Sequence, residues 1–215
     1  MIPGRLASPG LRLREAIAHT MRMLYERGLI NPHGGNASGL LVLPDGTAFI
    51  YITPGGALKP AMDPMDVAVM GLDGYVYWGR PSSEHRLHLA VYKAIEEARA
   101  VVHAHNPAAV QAARLGLQLD PALLGYEARY YLGSCVSRVP AHEPGTWELA
   151  RAAARALAEC PVAVMEKHGA VAVGYNRDPV RALYEALDKL TVLEDLARAA
   201  MLEARGGAEH DQEKR

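Results

Sequence analysis

Cysteine, aromatic side chains and long apolar runs are all scarce in this chain. Its 215 residues include two cysteines, one phenylalanine and two tryptophans. Cys135 falls in a stretch that reads as loop or strand and Cys160 at a helix end, which fits reduced thiols and excludes a disulfide framework. No segment approaches the ~20 continuous apolar residues of a membrane span, and Met1 to Gly10 holds no apolar run of the secretion-signal kind. Neither charge sign is in excess, because 23 basic residues stand against 24 acidic ones for a net charge of -1. That balance excludes a polybasic footprint, so neither nucleic acid nor an anionic membrane is expected as a general partner. A local anion pocket remains open. The expectation is a soluble, cytoplasmic protein.

What the chain does have is apolar content, 50% of its residues. That is enough for one domain over 1–215 that buries about 70% of its unfolded surface. The core is expected over about 10–205, with a polar, frayed tail over 206–215.

Apolar residues at helical spacing predict an amphipathic helix from Leu11 to Glu26, capped by Gly28. Strand-like runs follow at Leu40–Leu43 and Thr47–Ile52 around Asp45-Gly46, a dipeptide that favours tight hairpin turns. Val67–Met70 and Tyr75–Trp78 repeat the pattern around Asp73-Gly74. Pro81-Ser82-Ser83-Glu84 predicts a helix start, with a serine cap and an acid in the first turn, continuing to about Ala98. Further helices are expected over 107–115, 146–160 and 179–205, and the stretch from Gly116 to Pro144 is unassigned. Early hairpins and later helix–strand alternation predict an α/β protein, three layers with a central mixed, mostly antiparallel sheet covered by helices on both faces.

The chemistry is concentrated in a few short segments. Val101-Val102-His103-Ala104-His105 reads as a buried strand carrying two histidines on one face, about 6.5 to 7 Å apart. A third, His168, ends the apolar run Pro161–Met165, and neighbouring strands would bring all three to one point. Three histidines with an open position suit a catalytic zinc site better than a closed structural one. Glu84, near a helix N-terminus that favours its ionised form, is placed to ligate the metal or to take a proton, although an acid there also serves as an ordinary cap. Ser82, Ser83 and the amides of that helix start form an anion cradle, to which the turns Gly34-Gly35-Asn36 and Thr53-Pro54-Gly55-Gly56 add amides. Taken singly, each turn is explained by capping or turn geometry.

Together these segments resemble the class II aldolase/adducin family, in particular its fuculose-1-phosphate aldolase branch. The matching motifs are Gly35-Asn36-Ala37-Ser38, Ile52-Thr53-Pro54-Gly55-Gly56, Pro81-Ser82-Ser83-Glu84 with His88 four residues on, His103-Ala104-His105 and Lys167-His168-Gly169. They occur in family order over roughly residues 10 to 200. The resemblance implies that His103, His105 and His168 bind Zn2+ (or another divalent ion such as Mn2+ or Co2+). It makes Glu84 both a ligand of the free metal and the base when substrate displaces it. Gly35, Asn36, Gly55, Gly56, Ser82 and Ser83 would hold substrate and phosphate. Tyr126 would reach a neighbouring subunit's site and handle the aldehyde-side proton. A homotetramer with sites at its subunit interfaces is implied. So is the reaction, reversible cleavage of a ketose 1-phosphate to dihydroxyacetone phosphate and a small aldehyde such as L-lactaldehyde.

Departures from the branch are His33, where a small hydroxyl residue is usual, and the absence of tyrosine after Tyr184. Pentulose-5-phosphate 4-epimerases share the histidines but carry aspartate at the Glu84 position. Methylthioribulose-1-phosphate dehydratases place their glutamate near Glu127. Adducin-type interaction domains lack the metal ligands. His88, one helical turn after Glu84, is placed to orient it or simply to pack.

Overall fold

The computed structural model describes residues 8–213. Helix α1 (Pro9–Glu26) leads into the hairpin β1 (Asn36–Val42) and β2 (Ala48–Ile52), then β3 (Ala68–Gly71) and β4 (Val76–Trp78). Helix α2 (His85–Ala94), β5 (Ala100–Ala104), α3 (Pro107–Arg114), α4 (Tyr126–Leu132) and β6 (Ser137–Val139) come next. Then follow α5 (Trp147–Glu159), β7 (Val162–Met165), β8 (Gly169–Gly174) and α6 (Pro179–Glu213). The eight strands lie in the order β4-β3-β2-β1-β5-β8-β7-β6. Each neighbouring pair is antiparallel except β6–β7. The expected mixed, mostly antiparallel α/β architecture is thus the one observed.

Strand alternation divides the core in two. On β5, Val102 and Ala104 pack with α1, α3, α4 and α6, whereas Val101 packs with α2 and α5. On β8, Ala172 and Val171 divide the same way. Two-residue periodicity in the strands is therefore what gives helices to both faces.

Local signals explain most boundaries. The Ser8 hydroxyl accepts from Leu11 N and Pro9 opens α1, a standard helix start. Asp45 Oδ1 accepts from Thr47 N at 2.9 Å in the β1–β2 turn. The unassigned stretch resolves into a short 3-10 turn (Pro121–Leu124), α4 and β6.

Three expectations are corrected. Helix α2 starts at His85, with Glu84 as its cap residue and no serine hydroxyl capping it, and stops at Ala94 rather than near Ala98. Arg99 N donates to Gly174 O at 2.9 Å and Leu40 N to Arg99 O at 2.8 Å. The chain must leave the helix to enter the sheet, so tertiary pairing overrides local propensity. Helix α6 continues past its expected end at 205 to Glu213; Lys214 and Arg215 lie outside the described residues. Cys135 and Cys160 are not reduced thiols but a disulfide, with Cα atoms 5.6 Å apart. The parallel β6–β7 pair brings the entry to β6 beside the end of α5, which places two cysteines 25 positions apart in contact. Among the described residues, no helix is long and apolar enough to cross a membrane.

Gly169, where β8 begins, lies against β5 so tightly that an added Cβ would run into the Ala104 carbonyl and approach His103 Cε1 to 2.9 Å. Gly169→Ala is expected to lower stability by about 2 kcal/mol or more, since only backbone displacement relieves the clash. Urea unfolding of the variant checks this, and an unchanged midpoint would contradict it.

Candidate metal centre

His103 is fully buried on β5, directly opposite Asn36 of β1 and Val171 of β8. His105 follows the end of β5, held by its backbone N–H to Leu29 O at 2.9 Å. His168 occupies the β7–β8 turn, where its N–H donates to Met165 O at 3.1 Å and Lys167 adopts a left-handed φ of 62°. Glu84 projects from the cap of α2 and is 8% exposed.

These elements meet at one point. Glu84 Oε2 lies 3.4 Å from His103 Nε2, and Glu84 Oε1 3.3 Å from His168 Nε2. Donor atoms of Glu84, His103 and His168 all fall within 4.8 Å of one another. His105 stands next to this cluster, its ring centroid 5.6 Å from that of His103 and 6.4 Å from that of His168. His103 Nδ1–H donates to Ala170 O at 2.9 Å. This assigns the proton to Nδ1 and leaves Nε2 a bare lone pair, the arrangement that a carbonyl behind the ring imposes on metal-binding histidines. His103 Nε2, Glu84 Oε1 and His168 Nδ1 are buried with no hydrogen-bond partner. Leaving such atoms unpaired costs about 1–3 kcal/mol each, and a divalent cation would offset that cost at Glu84 Oε1 and His103 Nε2 together. Imidazole nitrogen with a carboxylate is a donor set suited to zinc and its neighbours. The residues therefore fit a metal.

Behind Glu84 runs a buried row of polar groups. Asn36 Nδ2 donates to Glu84 Oε2 at 2.7 Å, and His88 Nε2–H donates to Asn36 Oδ1 at 2.5 Å. Ser38 Oγ–H donates to His88 Nδ1 at 2.7 Å, and the Tyr92 hydroxyl to Ser38 Oγ at 2.8 Å. The carboxylate can only accept, which orients the Asn36 amide and, through it, every donor behind. Two periodicities make the row possible. Glu84, His88 and Tyr92 recur every four residues on α2, while Asn36 and Ser38 recur every two on β1. A helical turn and two strand residues advance by about 5.4 and 6.7 Å, so the two series stay in contact. The spacing Glu-x3-His-x3-Tyr against Asn-x-Ser was the sequence signal for this row.

Burial sets the protonation states. It pushes His88 down to about 3 and His103 down to about 4, the latter partly offset by the Glu84 charge. It also lowers His105, helped by neighbouring His168. Burial works to raise the Glu84 carboxyl, but His103, His168 and the Asn36 amide outweigh it and hold the group below the ordinary carboxylate range. The row is thus a carboxylate backed by neutral histidine, ready for a cation.

The cluster opens into a cavity of about 350 Å³ lined by His105, His168, Gly35, Gly55, Gly56, Ser82 and Ser83, among others, within the size range of small-ligand sites. Gly35, at φ +66°, also packs where a Cβ would meet His103 O at 2.8 Å. Asn36 lines the cavity too, although both ends of its amide are engaged within the protein. His33 is at the rim, and Asn31, Lys59 and Pro144 complete the wall. Those last three were missed from sequence; Lys59 stood out only as a charge amid Ala57-Leu58 and Pro60-Ala61. Tyr126 is not brought to this cavity. It is 92% exposed at the start of α4, and its neighbour Glu127 on the same turn is exposed too.

A buried carboxylate and imidazole lone pairs converging beside a small polar cavity define a metal-dependent enzyme site on this three-layer fold. The chain belongs to the class II aldolase/adducin family, in which its homologues are lyases: the family model described as Class II Aldolase and Adducin N-terminal domain matches residues 15–201. It is 30% identical over 181 residues to an L-fuculose phosphate aldolase of Methanocaldococcus jannaschii, covering 84% of this chain and 91% of that one. It is 33% identical over 163 residues to a 3-oxo-tetronate 4-phosphate decarboxylase of Cupriavidus necator, covering 74% and 73%. The solved L-fuculose-1-phosphate aldolase from Thermus thermophilus superposes with a TM-score of 0.80 at 31% identity, over 92% of this chain and 96% of that one.

The buried histidines carry a pH signature. Both have folded values below the unfolded 6.5, so the unfolded chain binds protons that the folded chain refuses. Stability is then fully present above pH 6.5 and falls as the pH drops from 6.5 toward 4. At pH 5 each histidine should cost about 2 kcal/mol in metal-free protein. Urea unfolding after chelation, at pH 7.5 and pH 5, measures the loss; His88→Gln should recover its own share. Equal stability at the two pH values would refute the assignment.

Proposed function

We propose that the chain is a zinc-dependent aldolase that reversibly cleaves a ketose 1-phosphate of the L-fuculose 1-phosphate type. The products would be dihydroxyacetone phosphate and a small aldehyde such as L-lactaldehyde. The observation that carries this reading is the convergence of Glu84, His103 and His168 on partnerless buried donor atoms at the mouth of an anion-friendly cavity. His105 would join them as the remaining ligand, and Mn2+ or Co2+ are chemically acceptable substitutes for zinc.

When bound, the metal supplies Lewis acidity toward the ketone, easing charge build-up as the C3–C4 bond breaks. This chain's residues do the rest. Gly55, Gly56, Ser82 and Ser83, with Gly35 and Asn36, hold the phosphate end and fix which carbon faces Glu84. In the aldol direction Glu84 removes the proton from the dihydroxyacetone phosphate carbon that becomes C3, and Tyr126 from a neighbouring copy protonates the new C4 oxygen. In cleavage the same protons travel back, with the C3–C4 electron pair left on C3. Tyr126 fits that duty because it is solvent-exposed and outside its own chain's cavity. That duty requires an oligomer with sites between subunits, for which the family resemblance suggests a homotetramer, and nothing in the charge balance calls for nucleic acid or a membrane.

The epimerase alternative is disfavoured by glutamate at position 84. Under the dehydratase alternative Glu127, exposed on α4 beside Tyr126 and outside its own chain's cavity, would likewise act in a neighbour's site, and scoring water loss against cleavage decides between the two.

Zinc-loaded protein assayed with fuculose, rhamnulose and ribulose phosphates and methylthioribulose 1-phosphate, scoring cleavage, epimerisation and water loss separately, tests the reading. Carbon–carbon cleavage is expected. Glu84→Gln should lower turnover by about 10³-fold or more while retaining more zinc than His103→Ala; near-normal activity would remove Glu84 from its role. Glu84→Gln and Tyr126→Phe, each impaired alone, should regain activity when co-assembled, because some mixed sites then pair an intact Glu84 with an intact Tyr126. No recovery in mixed assemblies would remove Tyr126 from a neighbour's site.

A further inference from the structure

Lys59 is only 3% exposed, an unusual position for a side chain that ordinarily extends its ammonium to water. Its backbone is fixed by N–H donation to Pro32 O at 2.8 Å, and Pro60 follows it in the 3-10 turn Lys59–Ala61. Its ammonium donates to Pro54 O at 3.3 Å. Among the described residues no carboxylate lies within ion-pair distance of it, in contrast to Lys189, the other buried lysine, which pairs with Glu185 at 2.7 Å. Burial lowers the pKa of Lys59, as expected for a cation without a counter-charge.

The place where this cation is held is specific. Pro54 opens the Gly55-Gly56 turn, and that turn is tied to the segment before α2. Gly55 N donates to Arg80 O at 2.9 Å, Ser82 N donates to Thr53 O at 3.0 Å, and Pro54 forms a β-bridge with Pro81. Lys59 is therefore bonded to the same rigid joint that sets Gly55 and Gly56 against Ser82 and Ser83, and all five line the cavity beside Glu84. Amides and hydroxyls supply directed hydrogen bonds but no net charge. A phosphate dianion among them would give the ammonium the counter-charge that it lacks.

We propose that Lys59 is the counter-charge for the phosphate end of the substrate and sets the site's preference for phosphorylated over uncharged ketoses. The proposal rests on the phosphorylated-ketose reading above and adds to it the residue that reads the charge. An uncharged sugar in the same cavity would leave a buried ammonium with a single carbonyl acceptor. Phosphate turns that penalty into a charge-assisted hydrogen bond.

A residue retained for ligand charge at the expense of apo stability leaves a double signature. Lys59→Met keeps the volume and removes the charge. Without phosphate the variant should melt at the same temperature as wild type or higher. Inorganic phosphate titrated calorimetrically into zinc-loaded protein should bind wild type and raise its melting temperature, while binding Lys59→Met about ten- to hundredfold more weakly. Lys59→Gln, which keeps a donor but no charge, should resemble Lys59→Met in affinity and guards against a folding defect peculiar to methionine. Equal phosphate affinity in wild type and both variants overturns the proposal, as does a wild type that binds no phosphate. So does Lys59-dependent binding of malonate with none of phosphate, which would assign the residue to a carboxylate. None of these titrations reads turnover. Lys59-dependent phosphate binding in a protein that cleaves no ketose phosphate would therefore sink the aldolase reading while leaving this assignment standing.

Discussion

The register that sets Asn36 opposite His103 across the β1–β5 pair is the constraint on which the rest of the site depends. One residue of slip by either strand would turn its own side chain to the α1 face, into the apolar packing around Val102 and Ala104, because strand side chains alternate. With the register as it is, β5 supplies a buried nitrogen, β1 an amide beside it, and α2 crosses above with Glu84 at its cap. The tight approach of Gly169 to Ala104 locks β8 against the same strand, and with it the turn that carries His168. Backbone pairing, rather than any flexible loop, therefore sets the spacing of the principal donor atoms.

Electrostatics builds on that frame. Isolated charge in a protein interior is expensive, so buried ionisable groups are neutral or paired. Here His88 and His103 are held neutral and the carboxylate ionised, with Asn36 interposed between Glu84 and His88 so that hydrogen bonding reaches the acid without a second charge behind it. Among the described residues, three of the five buried polar atoms without a hydrogen-bond partner, Glu84 Oε1, His103 Nε2 and His168 Nδ1, belong to the cluster where a cation would use them. Lys59 is the mirror case in the lining of the same cavity, a buried cation with no carboxylate partner among the described residues. The lining of one cavity thus includes both a carboxylate and an ammonium, and a molecule that carries electron-rich oxygens as well as a phosphate matches that pairing.

Much of this was legible in the residues. Period-two strands, Asp-Gly turns and helix starts located most elements, and the five ordered motifs pointed to both the family and the neighbourhood of the site. The illegible parts were long-range. Helix α2 stops where Arg99 must pair with Gly174, a demand that nothing local announces. The Cys135–Cys160 bond depends on β6 lying parallel to β7, and two widely spaced cysteines say little without that topology. In sequence Lys59 looks like an ordinary turn lysine, because burial is a property of what surrounds a residue. Asn36 reads there as a substrate contact. Its amide is also bonded to Glu84 and His88, a role visible only once a strand series and a helix series are laid side by side.

The proposed role of the exposed Tyr126 in a neighbour's site would couple chemistry to concentration. A side chain 92% exposed and outside its own cavity has no reacting atom within its own molecule to serve. If proton transfer at the far oxygen rests on it, the dissociated chain can bind metal and phosphate and still lack its last functional group. Specific activity would then follow the association equilibrium of the chain, rising with protein concentration and declining on dilution. A cell could set the rate through abundance alone, with no dedicated effector site.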